Sequence, residues 1–141
     1  MAENNQKILL IEDEAKLLDL FIFNLKEFFP VQGFKDGESF FREFKREETA
    51  LVVTDVRLPG ISGLEILARL KGEAPEIPVV IITAYESIDQ AVAAIKQGAY
   101  DYLTKPVGIK DLQETLCRAM QFRESTSLPV LDPGEIGRAH V

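Results

Sequence analysis

The strongest constraint on this chain is a rhythm, in which five short apolar runs alternate with amphipathic stretches of helical length. The runs occupy residues 8–11, 31–34, 51–54, 79–83 and 100–103, and each has the length of a strand. Between them the apolar residues return at helical spacing. Leu17, Phe21, Leu25 and Phe28 mark a first helix, and Phe40 and Phe44 a second over 38–47. A third covers 63–71, a fourth carries Ile88, Ala91, Val92 and Ile95, and a fifth carries Leu112, Leu116 and Met120. Strict strand-helix alternation predicts an α/β, doubly wound, five-stranded parallel sheet covered on both faces by five helices. The first, third and fourth runs are almost continuous in Ile, Leu and Val, as interior strands are. The second, Val31-Gln32-Gly33-Phe34, is mixed and reads as an edge. The expected strand order is 2-1-3-4-5, whose connections reverse direction between strands 1 and 3. Ligands of such sheets bind at the carboxyl ends of the strands beside that switch point.

Chemistry-bearing residues fall at those ends. Strand 1 runs into Glu12-Asp13-Glu14 and strand 3 into Asp55, so at least three carboxylates converge at the switch point. Carboxylates that close raise one another's pKa unless a divalent cation neutralises them, and hard oxygen donors suit Mg2+. The plainer reading, that acids after a strand favour the start of the next helix, is preferred for Glu14. Strand 4 ends in Thr83-Ala84, and strand 5 is followed by Thr104-Lys105-Pro106. Taken singly, Thr83 is a β-branched strand residue and Lys105 a surface lysine. Together they supply donors for an anion that arrives with the metal.

These stretches carry a resemblance. Residues 8–13 (ILLIED), 54–60 (TDVRLPG) with Gly63, 81–84 (IITA) and 98–106 (GAYDYLTKP) are similar to the receiver domain of bacterial response regulators in residue type and spacing. The likeness covers about residues 7–123 and implies a flavodoxin-like fold. It further implies that Asp55 accepts a phosphoryl group, and that Mg2+ is held by Asp13, Asp55 and the backbone carbonyl of Arg57, with Glu12 acting through water. Thr83 and Lys105 would contact the phosphoryl oxygens, Tyr102 would be an aromatic switch partnered with Thr83, and Lys105-Pro106 would be a cis peptide. By the same resemblance the domain is a phosphoacceptor and not an enzyme. The resemblance implies as donor a sensor histidine kinase or a histidine phosphotransfer protein, and a phosphorylation-linked homodimer through the face of helix 4, strand 5 and helix 5 is expected. Residues 83–85 and 98–106 look most like receivers of the nitrogen-regulation class that activates sigma-54 polymerase, so the expected output is transcription. Two positions depart from the family pattern: Ser62 stands where many receivers have Asp, and Val107 where Phe often follows the proline.

Rival readings fail on particular residues. A flavin-binding protein of this topology needs a first loop of hydroxyls and amides to cradle phosphate, and here that loop is acidic. A phosphatase that passes through an aspartyl phosphate places a second Asp two residues after the nucleophile, where this chain has Arg57. A receiver-like module that has lost phosphorylation would lack one of the acids or the lysine, and all are present. The net charge of −7 argues against direct nucleic-acid binding by this segment. Neither a signal peptide nor a membrane-length apolar run occurs, so a cytoplasmic protein is expected. The single Cys117 cannot form an internal disulfide and reads as a core or flank residue, while His140 reads as a solvated residue and not a phosphodonor. The expected organisation is an N-terminal extension over 1–6, a receiver over 7–124, and a linker with a cloning-derived tail over 125–141.

Overall fold

In the computed structural model, which describes residues 6–84 and 88–127 (124–127 as backbone only), five parallel strands pair in the order 2-1-3-4-5. They are β1 (Lys7–Ile11), β2 (Val31–Phe34), β3 (Thr49–Thr54), β4 (Val79–Thr83) and β5 (Asp101–Thr104). Five helices connect or follow them: α1 (Ala15–Leu25), α2 (Gly37–Glu43), α3 (Gly63–Glu73), α4 (Ile88–Lys96) and α5 (Ile109–Ser127). Expectations about His140 and the tail fall outside the described residues.

The two-residue period of a strand sorts the apolar side chains into two cores. Leu9, Ile11, Val52, Val79 and Ile81 face the side covered by α2, α3 and α4, where they pack with Phe34, Phe40, Ile66, Leu67 and Leu70. Ile8, Leu10, Leu51, Val53, Val80 and Ile82 face α1 and α5, where they pack with Leu18, Phe21, Leu25, Leu112 and Leu116. Every residue of β3 and β4 is buried, whereas β2 and β5 are mixed, as edges should be.

Helix boundaries follow local hydrogen bonding. Ser62 caps α3: its hydroxyl accepts from the Glu65 N–H at 3.1 Å, and the Glu65 carboxylate accepts from the Ser62 N–H at 2.8 Å. That reciprocal pair satisfies two donors that a helix start leaves open, so the departure at Ser62 is a working cap. Asp36 caps α2, accepting from the Ser39 N–H at 2.8 Å, and that bond lowers the Asp36 pKa below its ordinary value.

Four expectations are corrected. The second helix does not reach residue 47: it stops at Glu43, Phe44 turns to extended backbone, and a short 3-10 turn at Arg46–Glu48 leads into β3. The Phe44 ring packs on Phe40 with centroids 5.3 Å apart, and Thr49 Oγ1 donates to the Lys45 carbonyl at 2.8 Å, so the chain is bent early toward the sheet. Phe28 does not extend the buried face of α1, because the helix ends at Leu25 and leaves Phe28 62% exposed. Glu14 occupies the N-cap position of α1 but its side chain caps nothing. Instead Glu12 Oε2 accepts from the Glu14 N–H at 3.1 Å. On α4, the stripe Ile88, Val92 and Ile95 faces outward at 82%, 46% and 48% exposure, and the helix buries only Ala94. A methyl side chain on the inner face lets the helix lie close to the sheet and turns the larger residues away.

Candidate functional site

Register brings the strand ends together. β1 and β3 are neighbours with Ile11 beside Thr54, and the Asp55 N–H donates to the Ile11 carbonyl at 3.1 Å. This sets Asp55 next to Glu12 and Asp13. On the other flank Thr83 lies beside Thr104, and the Lys105 N–H donates to the Thr83 carbonyl at 2.9 Å. The Lys105-Pro106 peptide is cis.

Lys105 reaches across the strand ends. Its Nζ lies 2.7 Å from Glu12 Oε1 and 2.7 Å from Asp55 Oδ2. The Arg57 N–H donates to Asp55 Oδ1 at 3.1 Å. One carboxylate oxygen from each of Glu12, Asp13 and Asp55 lies within 4.8 Å of the other two; Glu12 and Asp55 are buried at 3% and 7% exposure, and Asp13 is exposed. An open cleft of about 170 Å³ lies over Asp55, lined also by Arg57, Thr83 and the small Ala84.

The electrostatics fit a cation and an anion in turn. Burial pushes the Glu12 carboxyl above its ordinary pKa, and the hydrogen bond from Lys105 only partly offsets this. Burial also works against the Lys105 ammonium, but its hydrogen bonds to Asp55 and Glu12 prevail and raise its pKa, so it stays charged. Three carboxylates against one ammonium leave the cluster net acidic. The donor set is all oxygen with one exposed member, which suits a divalent cation that keeps part of its water shell.

The loop after Asp55 depends on two glycines. Gly60 has φ of +77°, a conformation that L side chains rarely adopt. Gly63 opens α3 directly against Asp55: a Cβ there would lie 2.0 Å from the Asp55 carbonyl oxygen. Thr54, the last residue of β3 and fully buried, donates its hydroxyl to that same carbonyl at 2.9 Å.

The structure thus gathers Glu12, Asp13, Asp55, Arg57, Thr83 and Lys105 about one cleft. Tyr102 stands one strand away, beside Ile81 in register and packed against the α3-side core.

Residues 8–117 match the family model described as the response regulator receiver domain. The chain is 35% identical over 130 residues to the response regulator protein PilR of Pseudomonas aeruginosa, which covers 90% of this chain and 29% of PilR. It is 34% identical over 122 residues to the transcriptional regulatory protein GlrR of Escherichia coli K12, covering 86% of this chain and 28% of GlrR. It therefore spans less than a third of either relative. Among solved structures, a response regulator receiver domain protein from Clostridium thermocellum superposes with a TM-score of 0.78 at 30% identity, covering 86% of this chain and 98% of that one. The beryllofluoride-activated NtrC4 receiver domain dimer superposes at 0.77 and 27% identity, covering 82% and 97%. The fold and the acidic pocket define a phosphoacceptor regulatory domain of two-component signalling. This chain belongs to the response regulator receiver domain family, whose members take their signal from histidine kinases.

Proposed function

We propose that Asp55 accepts the phosphoryl group and that this chain is the input switch of a transcriptional regulator. The observation that carries the reading is the placement of Asp55 at the floor of the cleft, with one carboxylate oxygen on Lys105 and the other on the Arg57 N–H. In the transfer, the bond between phosphorus and the donor's histidine nitrogen breaks, that nitrogen keeps the electron pair, and a carboxylate oxygen of Asp55 bonds to phosphorus. In this proposal Lys105, held charged, accompanies the phosphoryl oxygens, and the hydroxyl of Thr83, a residue of the cleft wall, donates to one of them. Such transfer depends on alignment and charge neutralisation more than on covalent help from the protein.

Mg2+ is the proposed cofactor, held by Asp13, Asp55 and the Arg57 carbonyl, with Glu12 at one water's remove. When bound it supplies positive charge to the phosphoryl oxygens. Asp13→Ala should lose both Mg2+ binding, read by calorimetry, and labelling by acetyl phosphate. Full labelling of this variant, or of wild type in excess chelator, would remove the metal from the reading.

Thr83 and Tyr102 are proposed as the switch pair. A phosphoryl group shifts a two-state equilibrium only by what it binds differently in the two states. If the Thr83 hydroxyl is drawn to a phosphoryl oxygen, the space it leaves admits a turn of the Tyr102 ring, which changes the face of α4, β5 and α5. That face, with its exposed apolar stripe on α4, is proposed for phosphorylation-linked homodimerisation. Sedimentation with and without beryllofluoride tests it: wild type should gain mass, and Thr83→Ala should take the adduct without doing so. Further parts of the reading are a receiver unit over 7–124, a linker after it, a sensor histidine kinase or histidine phosphotransfer protein as donor, and a cytoplasmic setting. The support for a transcriptional output is the likeness to PilR and GlrR.

A further inference from the structure

The backbone of Asp55 is fixed on every side. Its N–H donates to the Ile11 carbonyl at 3.1 Å, and its carbonyl accepts from Thr54 Oγ1 at 2.9 Å. Gly63 closes on that carbonyl from the start of α3, with room for no side chain, and the Gly63 N–H donates to the next carbonyl, that of Val56, at 2.9 Å. The Thr54 hydroxyl is fully buried at the site where the strand ends and the ladder can no longer supply a donor. A buried carbonyl without a partner is costly, so this hydroxyl decides which way the peptide between Asp55 and Val56 faces.

We infer that Thr54 is a positioning residue for phosphoryl transfer: its hydroxyl, with the bare Cα of Gly63, clamps the Asp55 carbonyl and thereby aims the Asp55 carboxylate. The inference rests on Asp55 being the phosphoacceptor. Turning the Asp55–Val56 peptide would leave the Asp55 Cα and Cβ in place but swing the carbonyl off the Thr54 hydroxyl. It would also displace the Arg57 backbone, whose N–H holds Asp55 Oδ1. Thr54 touches no reacting atom and acts only through this peptide. Misalignment of a reacting group by a fraction of an ångström is enough to slow transfer.

The test compares Thr54→Val, which keeps the volume and removes the donor, with Thr54→Ser, which keeps the donor and removes the methyl. Acetyl phosphate with Mg2+ is the probe: its phosphorus leaves acetate, which departs with the electron pair, for an oxygen of Asp55. Intact-protein mass spectrometry follows the rate. Thr54→Val should react about fivefold more slowly, as the loss of one ordinary hydrogen bond allows, and Thr54→Ser should stay near wild type. In metal-free protein, the Arg57 amide should exchange its hydrogen faster in Thr54→Val than in Thr54→Ser. Equal rates in both variants and wild type would overturn the clamp, and so would equal slowing in both, since that would assign the effect to the methyl. If Thr54→Val does not fold, Thr54→Ala against Thr54→Ser makes the same comparison. Wild type that takes no phosphoryl group on Asp55 would instead sink the phosphoacceptor reading, so the two failures are distinguishable.

Discussion

Helices α3 and α4 come from similar apolar-periodic sequences and lie on the same side of the sheet, yet they are built in opposite ways. α3 buries Ile66, Leu67 and Leu70 and begins with a reciprocal side-chain cap. α4 buries Ala94 and turns Ile88, Val92 and Ile95 outward. The strands beside them differ likewise, since β3 is buried throughout and β5 is only partly covered. The carboxylate cluster and Gly63 therefore stand on the firm half of the domain. The half holding α4 and β5 has few buried apolar contacts, the condition for low local stability and for movement. On the proposed function, a phosphoryl group on the firm half acts on the loose half through residues at their border, Thr83 and Tyr102.

The sharpest way to break this comparison is to shorten matched residues in the two helices. Leu67→Ala or Leu70→Ala in α3 should cost about 2–5 kcal/mol, as buried leucines do. Val92→Ala or Ile95→Ala in α4 should fall within about 0.5 kcal/mol of wild type. Urea denaturation measures both, and comparable losses from the two helices would erase the distinction. A smaller effect comes from the α3 cap: Ser62→Ala should cost about 1 kcal/mol, and α3 amides should then exchange hydrogen more nearly at the rate of those in α4. No change in either would mean that packing alone secures α3.

The smallest expected effect is a pH dependence on the α3 side. Arg46 Nε and Nη2 lie 2.6 and 2.7 Å from the Glu76 carboxylate, and that hydrogen bonding lowers the Glu76 pKa below its ordinary value. Its contribution is present above the ordinary glutamate pKa and is lost as pH falls through the lowered one. Acid titration of stability should therefore be shallower in Glu76→Gln than in wild type. Identical curves would show that this exposed pair does nothing measurable, as many surface pairs do.

The strands and their order were legible because continuous apolar runs and strict alternation leave few topologies, and the order fixes which loops meet. Glu12, Asp13, Asp55, Thr83 and Lys105 could be placed together on that ground. Periodicity tells that a helix has an apolar face but not where the face points, so the outward stripe of α4 was not readable from spacing. Phe28 misled in the same way, since nothing in the spacing marks the stop at Leu25. The Thr54 hydroxyl on the Asp55 carbonyl escaped because it depends on the direction of one peptide plane. Its one sequence signal is a hydroxyl before the key acid with a glycine eight residues after that acid.

On the proposed function the phosphoryl group goes to Asp55 and to no other residue. Wild type and Asp55→Asn are treated with acetyl phosphate and Mg2+, any acyl phosphate is trapped by borohydride reduction, and the modified residue is located by peptide mass spectrometry. Asp55 should carry the whole label in wild type, and Asp55→Asn should carry none. A label on Asp13, on Glu12 or on any residue of the Asp55→Asn chain at wild-type yield would contradict the phosphoacceptor assignment.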